Sequence, residues 1–510
     1  SDKGGGGKSS GGKGKSDSGS DFRFFAPNES WFDFNGKVIY HINDKQNLNF
    51  SFYIGQDSAM TVGLTEWGNR AALLRWENRF ATKWLSNTSL IYSRYYTANI
   101  AGIYHFHSGV STQSFKQEFS YFPNPNNEVR FGLMSEYQDY NHGSLEDATQ
   151  EDGGKFMPGM QGLESAFYIE NDQKINDRLS AYYGLRYSLY HQLGPGDRFT
   201  YDDITNEPIE AEFFPEKTDV MSFYSSLEPR LAITYLLSGQ NSLKLSYNRN
   251  AQYLRLMSLG AEIEWYDIWM PTTKNIKPML TDQFAMGYFH NFNNNEIKFS
   301  AETYYKILYG AADFEDGLHN YLVDNLEAYV ATGKGLAYGF EMSIEKPSGR
   351  FNGRLSYNYG KSDYQIDVIN QGRWYPYRFD KTHSLTMLSN FQITKDLSIS
   401  STFLYSTGRP VTLPEGYYHI SGIPFPYWEG RNKYRLPDYH RLDLGIKYSP
   451  NFLIRWTRGL KTTIDVALYN VYDRRNIHTI NYNQGQNRLF EQIGQSTYGF
   501  MPSININVEF

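Results

Sequence analysis

The residues best equipped for chemistry in this chain are few and scattered. His105 and His107 form an H-x-H pair that lies on one face of any extended segment, which is the beginning of a metal or haem site. Two ligands do not make a coordination sphere, so the pair is kept only as a weak metal candidate. His383 and His440 lie near Asp380 and Asp443, an Asp/His proximity that a hydrolase could use. Gly7-Lys-Ser-Ser-Gly11 matches a G-x-S-x-G string, but no strand precedes it and no helix follows, so a nucleophile elbow is not supported. Two acidic runs, Glu146, Asp147, Glu151 and Asp152, then Asp313, Glu315 and Asp316, could offer oxygens to Ca²⁺. They lack a fixed ligand spacing and read as solvated loops. No catalytic residue and no cofactor is expected from these groups.

Aromatic rings are the better candidates, because they stand where no strand pattern demands them. Trp265, Tyr266 and Trp269 fall in one stretch, Trp374, Tyr375 and Tyr377 in a second, and Tyr417, Tyr418 and Trp428 in a third. Such rings stack on a sugar, a siderophore catechol, a porphyrin or a peptide. The competing account is a membrane-rim girdle plus loop packing.

What must position these rings is a β architecture. The last residues, Ile504, Ile506, Val508 and Phe510, alternate with Asn505, Asn507 and Glu509, the period of a strand with one greasy and one polar face. The same alternation recurs at 48–54, 72–80, 179–189, 243–247 and 442–448. Arg75, Glu77, Arg79, Arg186, Lys244, Glu302, Arg354, Arg441 and Asp443 all fall on the polar face, which must be wet or ion-paired. No apolar run approaches the ~18 residues a membrane helix needs, and mean hydropathy is −0.59. A transmembrane β-barrel remains open, because only alternate residues face lipid. The absence of Cys excludes disulfides and thiolate metal sites. A net charge of −6 argues against a nucleic-acid partner.

The connections decide the fold. Short polar turns at 43–47, 81–84, 123–127, 171–177, 238–241, 293–295, 346–350 and 394–396, and a longer one at 450–460, alternate with long loops. The long loops are 57–69, 96–112, 138–162, 191–221, 251–280, 309–336, 361–378, 407–437 and 474–497. In an antiparallel up-and-down transmembrane barrel every short turn falls on one rim and every long loop on the other. Eighteen connections imply nineteen strands, an odd count that cannot close as an antiparallel ring, so an odd number of strands is expected upstream. Residues 1–29, rich in Gly, Ser and Lys, read as a flexible segment, the end of an extracellular loop, and 30–510 as the barrel.

Several pieces resemble the barrel of TonB-dependent outer-membrane receptors in the form common in Bacteroidota. They include Trp31-Phe-Asp-Phe-Asn-Gly-Lys37, Trp67-Gly-Asn69, Leu227-Glu-Pro-Arg-Leu231 and Gly335-Leu-Ala-Tyr-Gly-Phe-Glu341. Further along stand Phe379-Asp-Lys-Thr-His383, Gly408-Arg-Pro410, Leu436-Pro-Asp-Tyr-His-Arg-Leu-Asp443 and Tyr469-Asn-Val-Tyr-Asp473. The resemblance implies a 22-strand barrel in a Gram-negative outer membrane, with nineteen strands here and three missing together with the plug. It implies import of a scarce nutrient by energised plug movement, and no enzyme. It also implies contact with lipid, a plug domain and a TonB-type periplasmic transducer, with a surface lipoprotein as a further partner. His383 and His440 then fall inside barrel motifs and read as structural hydrogen-bonders. The alternatives are a passive porin or a barrel that serves only as partner to a surface lipoprotein.

Overall fold

The computed structural model describes residues 30–509 except 61–63, 102–103, 148–154, 157–158, 203–204, 259–266, 317, 319–322, 324, 421–422, 450–460 and 485–489. One antiparallel sheet of 21 strands forms the wall, and two of these, Lys155–Phe156 and Tyr375–Pro376, are two-residue pieces. The nineteen that remain begin with β1 (Ser30–Asn43), β2 (Gln46–Met60), β3 (Leu64–Ala81), β4 (Trp84–Ala101), β5 (Tyr104–Asn124) and β6 (Asn127–Asp147). They continue with β7 (Met160–Lys174), β8 (Leu179–Leu193), β9 (Val220–Ser238), β10 (Asn241–Gln252), β11 (Met279–Phe292), β12 (Ile297–Phe314) and β13 (Val330–Lys346). The last six are β14 (Phe351–Gln365), β15 (His383–Gln392), β16 (Leu397–Ser406), β17 (Tyr439–Tyr448), β18 (Lys461–Tyr469) and β19 (Met501–Glu509). Each pairs antiparallel with the next, as an up-and-down barrel requires. β1 and β19 run in the same direction, and no pairing joins them among the described residues.

The register sorts side chains into two faces. One rung runs His41, Asn47, Glu77, Asn87, Glu118, Gly132, Tyr168, Arg186, Glu228 across nine strands. The neighbouring rung on the other face runs Tyr40, Leu48, Trp76, Thr88, Gln117, Leu133, Phe167, Tyr187, Leu227. The second face is apolar yet exposed: Phe167 is 54% and Leu227 53% accessible. An apolar belt of that extent suits lipid, not water. Its two polar members satisfy each other, Thr88 Oγ1 donating to Gln117 Oε1 at 2.6 Å. Toward the short-turn rim the belt ends in rings, with Trp84 stacked on Tyr121 at 4.4 Å and Phe119 on Phe131 at 5.4 Å.

Three expected loops are largely strand. β2 and β3 pair through Met60↔Leu64, and β4 and β5 through Ala101↔Tyr104, where long loops at 57–69 and 96–112 were expected. Within 474–497, Ile477–Gln484 pairs with Phe490–Ser496. The physical reason is that the apolar alternation stops at the membrane boundary while backbone pairing continues beyond it. Gln56, Asp57 and Ser58, or Thr97 and Asn99, are polar on both faces and still sit in ladders.

Candidate functional site

On the rim opposite the short turns, the loops between β8 and β17 assemble into one crown. Hairpins Gly196–Tyr201/Pro208–Phe214, Leu254–Met257/Ile268–Pro271 and Gly416–Ile420/Ile423–Tyr427 form its ribs. Its apolar centre packs Met257, Ile268, Met270 and Ile276 against Phe314, Leu326 and Val330. A second cluster joins Ala311, Tyr364, Ile366, Ile369 and Tyr375. Burying these side chains is worth roughly 1.5–3 kcal/mol each, which is why the loops hold together without disulfides.

Polar ties complete the crown. Arg431 reaches across 118 residues to Asp313 at 2.9 Å and lies 3.6 Å from Asp316. The Tyr375 hydroxyl donates to Asp313 at 3.1 Å, and the Asn370 amide donates to Asp316 at 3.0 Å. Asn432 donates to the Pro376 carbonyl at 2.9 Å. Arg435 grips Asp380, which also accepts the Ser362 amide at 2.8 Å. Lys274 donates to Thr200 at 2.6 Å, and Asn275 to the Phe199 carbonyl at 3.1 Å. Glu327 accepts a hydrogen bond from Thr273; burial pushes its carboxyl up, against the lowering effect of that bond and of Asn275. Burial likewise pushes the Tyr375 hydroxyl up.

Arg255 stands apart from these paired groups. It is 6% exposed, one nitrogen donates to the Lys277 carbonyl, and its Nε and Nη1 have no partner among the described residues. Burial lowers its pKa to about 10. A guanidinium so placed is costly unless an anion meets it.

The hairpin that carries Arg255 leans inward over the mouth. The Tyr253 ring stacks on Tyr190 at 5.0 Å, and its hydroxyl bonds Ser188, which donates to Glu228 at 2.5 Å. The Trp269 ring meets Tyr95 edge-on at 6.4 Å. Tyr190 and Ser188 share the face of Arg186 on β8, and Tyr95 lies on the corresponding face of β4. The hairpin therefore covers the inner face of the wall.

The sequence candidates fall into distinct places. Trp265 and Tyr266 lie outside the described residues. Trp269 packs on Tyr95, Tyr375 is buried on Asp313, and Tyr377 stacks on Tyr364 at 4.4 Å, so these three build the crown's interior. Trp374, Tyr417, Tyr418 and Trp428 are exposed on its surface. Asn370 draws the second and third groups together, its side-chain amide donating to the Trp374 carbonyl and its Oδ1 accepting the Arg431 amide. His105 and His107 lie on β5, not in a loop, and no cluster of three or more metal-ligating side chains occurs among the described residues. His383 bonds the Tyr357 hydroxyl and His440 the Tyr472 hydroxyl, both at 2.8 Å. Asp380 is held by Arg435, and Asp443 by Arg441 at 2.9 Å, so neither carboxylate meets its neighbouring histidine.

The inner-face candidates share the polar side of the wall. Arg75 donates to Ser89 at 3.4 Å, Arg354 to Ser343 and Ser356 at 3.0 Å, and Arg441 to Tyr469 at 2.7 Å. Arg186 bridges Glu164 at 2.9 Å and Glu228 at 3.7 Å. Glu77 and Arg79 extend the Arg75 face of β3. Lys244, Gly287, Glu302 and Glu341 follow one another across four strands, leaving two carboxylates directly opposed. Sequence periodicity found this face. It missed Arg255 and Arg431, whose partners are far away in sequence and leave no local signal.

A membrane-type barrel wall with a polar inner face and a loop crown defines the class of an outer-membrane barrel receptor or channel. The profile of the family described as TonB dependent receptor-like, beta-barrel matches residues 2–471, and the chain belongs to that family. Its members are transport receptors of Gram-negative outer membranes, not enzymes. By sequence alone the chain matches no curated protein. Solved structures share its fold. The ferric-catecholate import receptor Fiu of E. coli K12 aligns with a TM-score of 0.63 at 12% identity, covering 94% of this chain and 75% of Fiu. The FrpB iron transporter of Neisseria meningitidis gives 0.64 at 10% identity, covering 96% and 74%. The ferric yersiniabactin uptake receptor FyuA of Yersinia pestis gives 0.61 at 14% identity, covering 94% and 71%.

Proposed function

We propose that this chain is the wall and loop crown of an energised import receptor of the outer membrane. Its substrate is a scarce nutrient: a siderophore, haem, cobalamin, an oligosaccharide or a peptide. The observation that carries this reading is the nineteen-strand wall, apolar outside and ionised inside, in a chain of the TonB-dependent receptor family. A ring so wide is not filled by its own side chains and is normally plugged. Closing it takes an odd number of further antiparallel strands, which with a plug domain we assign to an upstream segment. The opposed Glu302 and Glu341, with Arg75, Glu77, Arg79 and Lys244, offer that plug a charged, hydrated seat. A periplasmic TonB-type protein then pulls on the plug, and a surface lipoprotein of the kind used by Bacteroidota receptors docks on the loops. Trp374, Tyr417, Tyr418 and Trp428 make the first contact with substrate, with Trp265 and Tyr266 assigned to the same surface. Iron-carrying cargo is one option within this range, because Fiu and FyuA are described as importing ferric chelates.

A second reading rests on one observation. The hairpin Leu254–Met257/Ile268–Pro271 leans over the mouth onto Tyr95 and Tyr190, as a constriction loop of a passive channel would. Planar-bilayer recording of the receptor purified from its native membrane separates the two. A plugged importer gives no steady conductance, whereas a passive channel gives a stable open level that falls or rises when the hairpin is shortened.

A further inference from the structure

Arg70 on β3 and Arg94 on β4 are direct cross-strand partners. Side chains so paired have Cβ atoms about 5 Å apart, and like charges at that distance destabilise a ladder. Both residues are exposed, and neither has a carboxylate within ion-pair distance among the described residues. They stand on the apolar face, in the rung Phe34, Ile54, Arg70, Arg94, Ser111, Asp139. Repulsion that no carboxylate among the described residues relieves calls for an anion between them.

Their height says which anion. Arg70 lies ten residues along β3 from Phe80, which packs on Trp84 in the ring belt at the short-turn rim. Ten residues at about 3.3 Å, on a strand tilted about 40°, rise roughly 25 Å, the height of the apolar band of such barrels. The pair therefore sits at the far polar boundary of the membrane, on the loop rim, where lipid headgroups lie.

The surroundings form a seat. Gly68 has no Cβ, and one built there would fall 2.7 Å from the Tyr96 ring, so Tyr96 can lie flat over it. Tyr96 is fixed by a hydrogen bond to Gln56 at 2.9 Å, and the Arg70 guanidinium rests 5.9 Å from its ring centre. A cavity of about 330 Å³ opens beside Arg94, lined by Tyr92, Tyr96, His107, Ser111 and Asp139. Asp139 is the one carboxylate in that lining, separated from Arg94 by Ser111.

We propose that Arg70 and Arg94 clamp the phosphate of a membrane lipid headgroup on the outer surface of the wall, over the floor made by Tyr96. This site belongs to the lipid-facing surface and is independent of what the receptor imports. The test is native mass spectrometry of the detergent-purified full receptor titrated with dioleoyl-phosphatidylglycerol, compared with dioleoyl-phosphatidylcholine. Heat-modifiable gel mobility checks that each variant stays folded. Membrane-surface cations contribute about fivefold each. The double variant Arg70→Gln/Arg94→Gln should therefore retain the anionic lipid roughly thirtyfold less, and Arg70→Lys/Arg94→Lys should restore most of it. Lys334→Gln, at an exposed lysine on β13, is the control and should change little. Equal retention by the folded double Gln variant overturns the proposal. So does displacement of the lipid by millimolar inorganic phosphate, which would make the pair a free-anion site.

Discussion

The two halves of the loop rim are built in opposite ways. From β1 to β6 the strands run on past the apolar belt, and their tips are held by backbone ladders such as Asn69↔Tyr95 and Ala98↔His107. From β8 to β17 the ladders stop earlier, and side chains remote in sequence tie the loops instead, through Arg431–Asp313, Arg435–Asp380 and Thr273–Glu327. Ladder strength depends on many equivalent bonds, each worth about 1 kcal/mol net. The crown's strength depends on a few buried pairs whose loss is severe. One half is a rigid palisade, and the other can be loosened at single points, which suits a surface that must accept a ligand.

The difference can be broken at its largest point. Asp313→Ala leaves Arg431 only its longer contact to Asp316 and removes the acceptor of Tyr375, so the crown should lose about 3–5 kcal/mol. Hydrogen exchange should accelerate in 366–378 and 425–435 while 64–101 is unchanged. Arg255→Met should act in the opposite direction. It removes a buried cation whose Nε and Nη1 have no partner among the described residues and should stabilise the crown by roughly 1–4 kcal/mol, read as a higher unfolding temperature.

The palisade is tested by Gly109→Val. A Cβ at Gly109 would lie 2.5 Å from the Tyr95 carbonyl oxygen, so the substitution should cost about 1–3 kcal/mol and speed exchange only in 93–111. Thr65→Val removes the acceptor of the Asn99 amide, a buried bond of 2.7 Å, and should cost about 1–2 kcal/mol at the β3–β4 tip.

The smallest effect concerns pH. The folded carboxyl of Glu327 is held above its unfolded value of 4.5, so the folded state binds more protons just above that pH. Its contribution is present at acid pH and is lost as pH rises from 4.5 through the raised value. Glu327→Gln should flatten that slope in the crown's exchange rates and leave the palisade's pH dependence as it was.

Much of the wall was legible in the sequence, because lipid on one side and water on the other impose a period of two on every strand. Eight of the nine short turns and the charged inner face follow from that alone; the ninth, 450–460, lies outside the described residues. The tips of β2 to β5 were not legible, since above the membrane both faces become polar and the pattern vanishes while pairing persists. The crown was legible only as aromatic excess. Which rings are buried, as Tyr375 is, and which exposed, as Trp374 is, depends on pairs such as Arg431 with Asp313 that no local pattern announces. Arg255 shows the same limit: nothing in its neighbourhood in sequence marks it as a buried cation, two of whose nitrogens lack a partner among the described residues.

The central claim is energised import, and accumulation in whole cells addresses it most directly. Cells carrying the full receptor would be given labelled ferric chelates, haem, cobalamin, oligosaccharides and peptides, with and without a protonophore. Uptake of one class, saturable at low concentration and abolished by the protonophore, is the result predicted here. Uptake that is unselective, proportional to concentration and indifferent to the protonophore would contradict it and establish a passive channel.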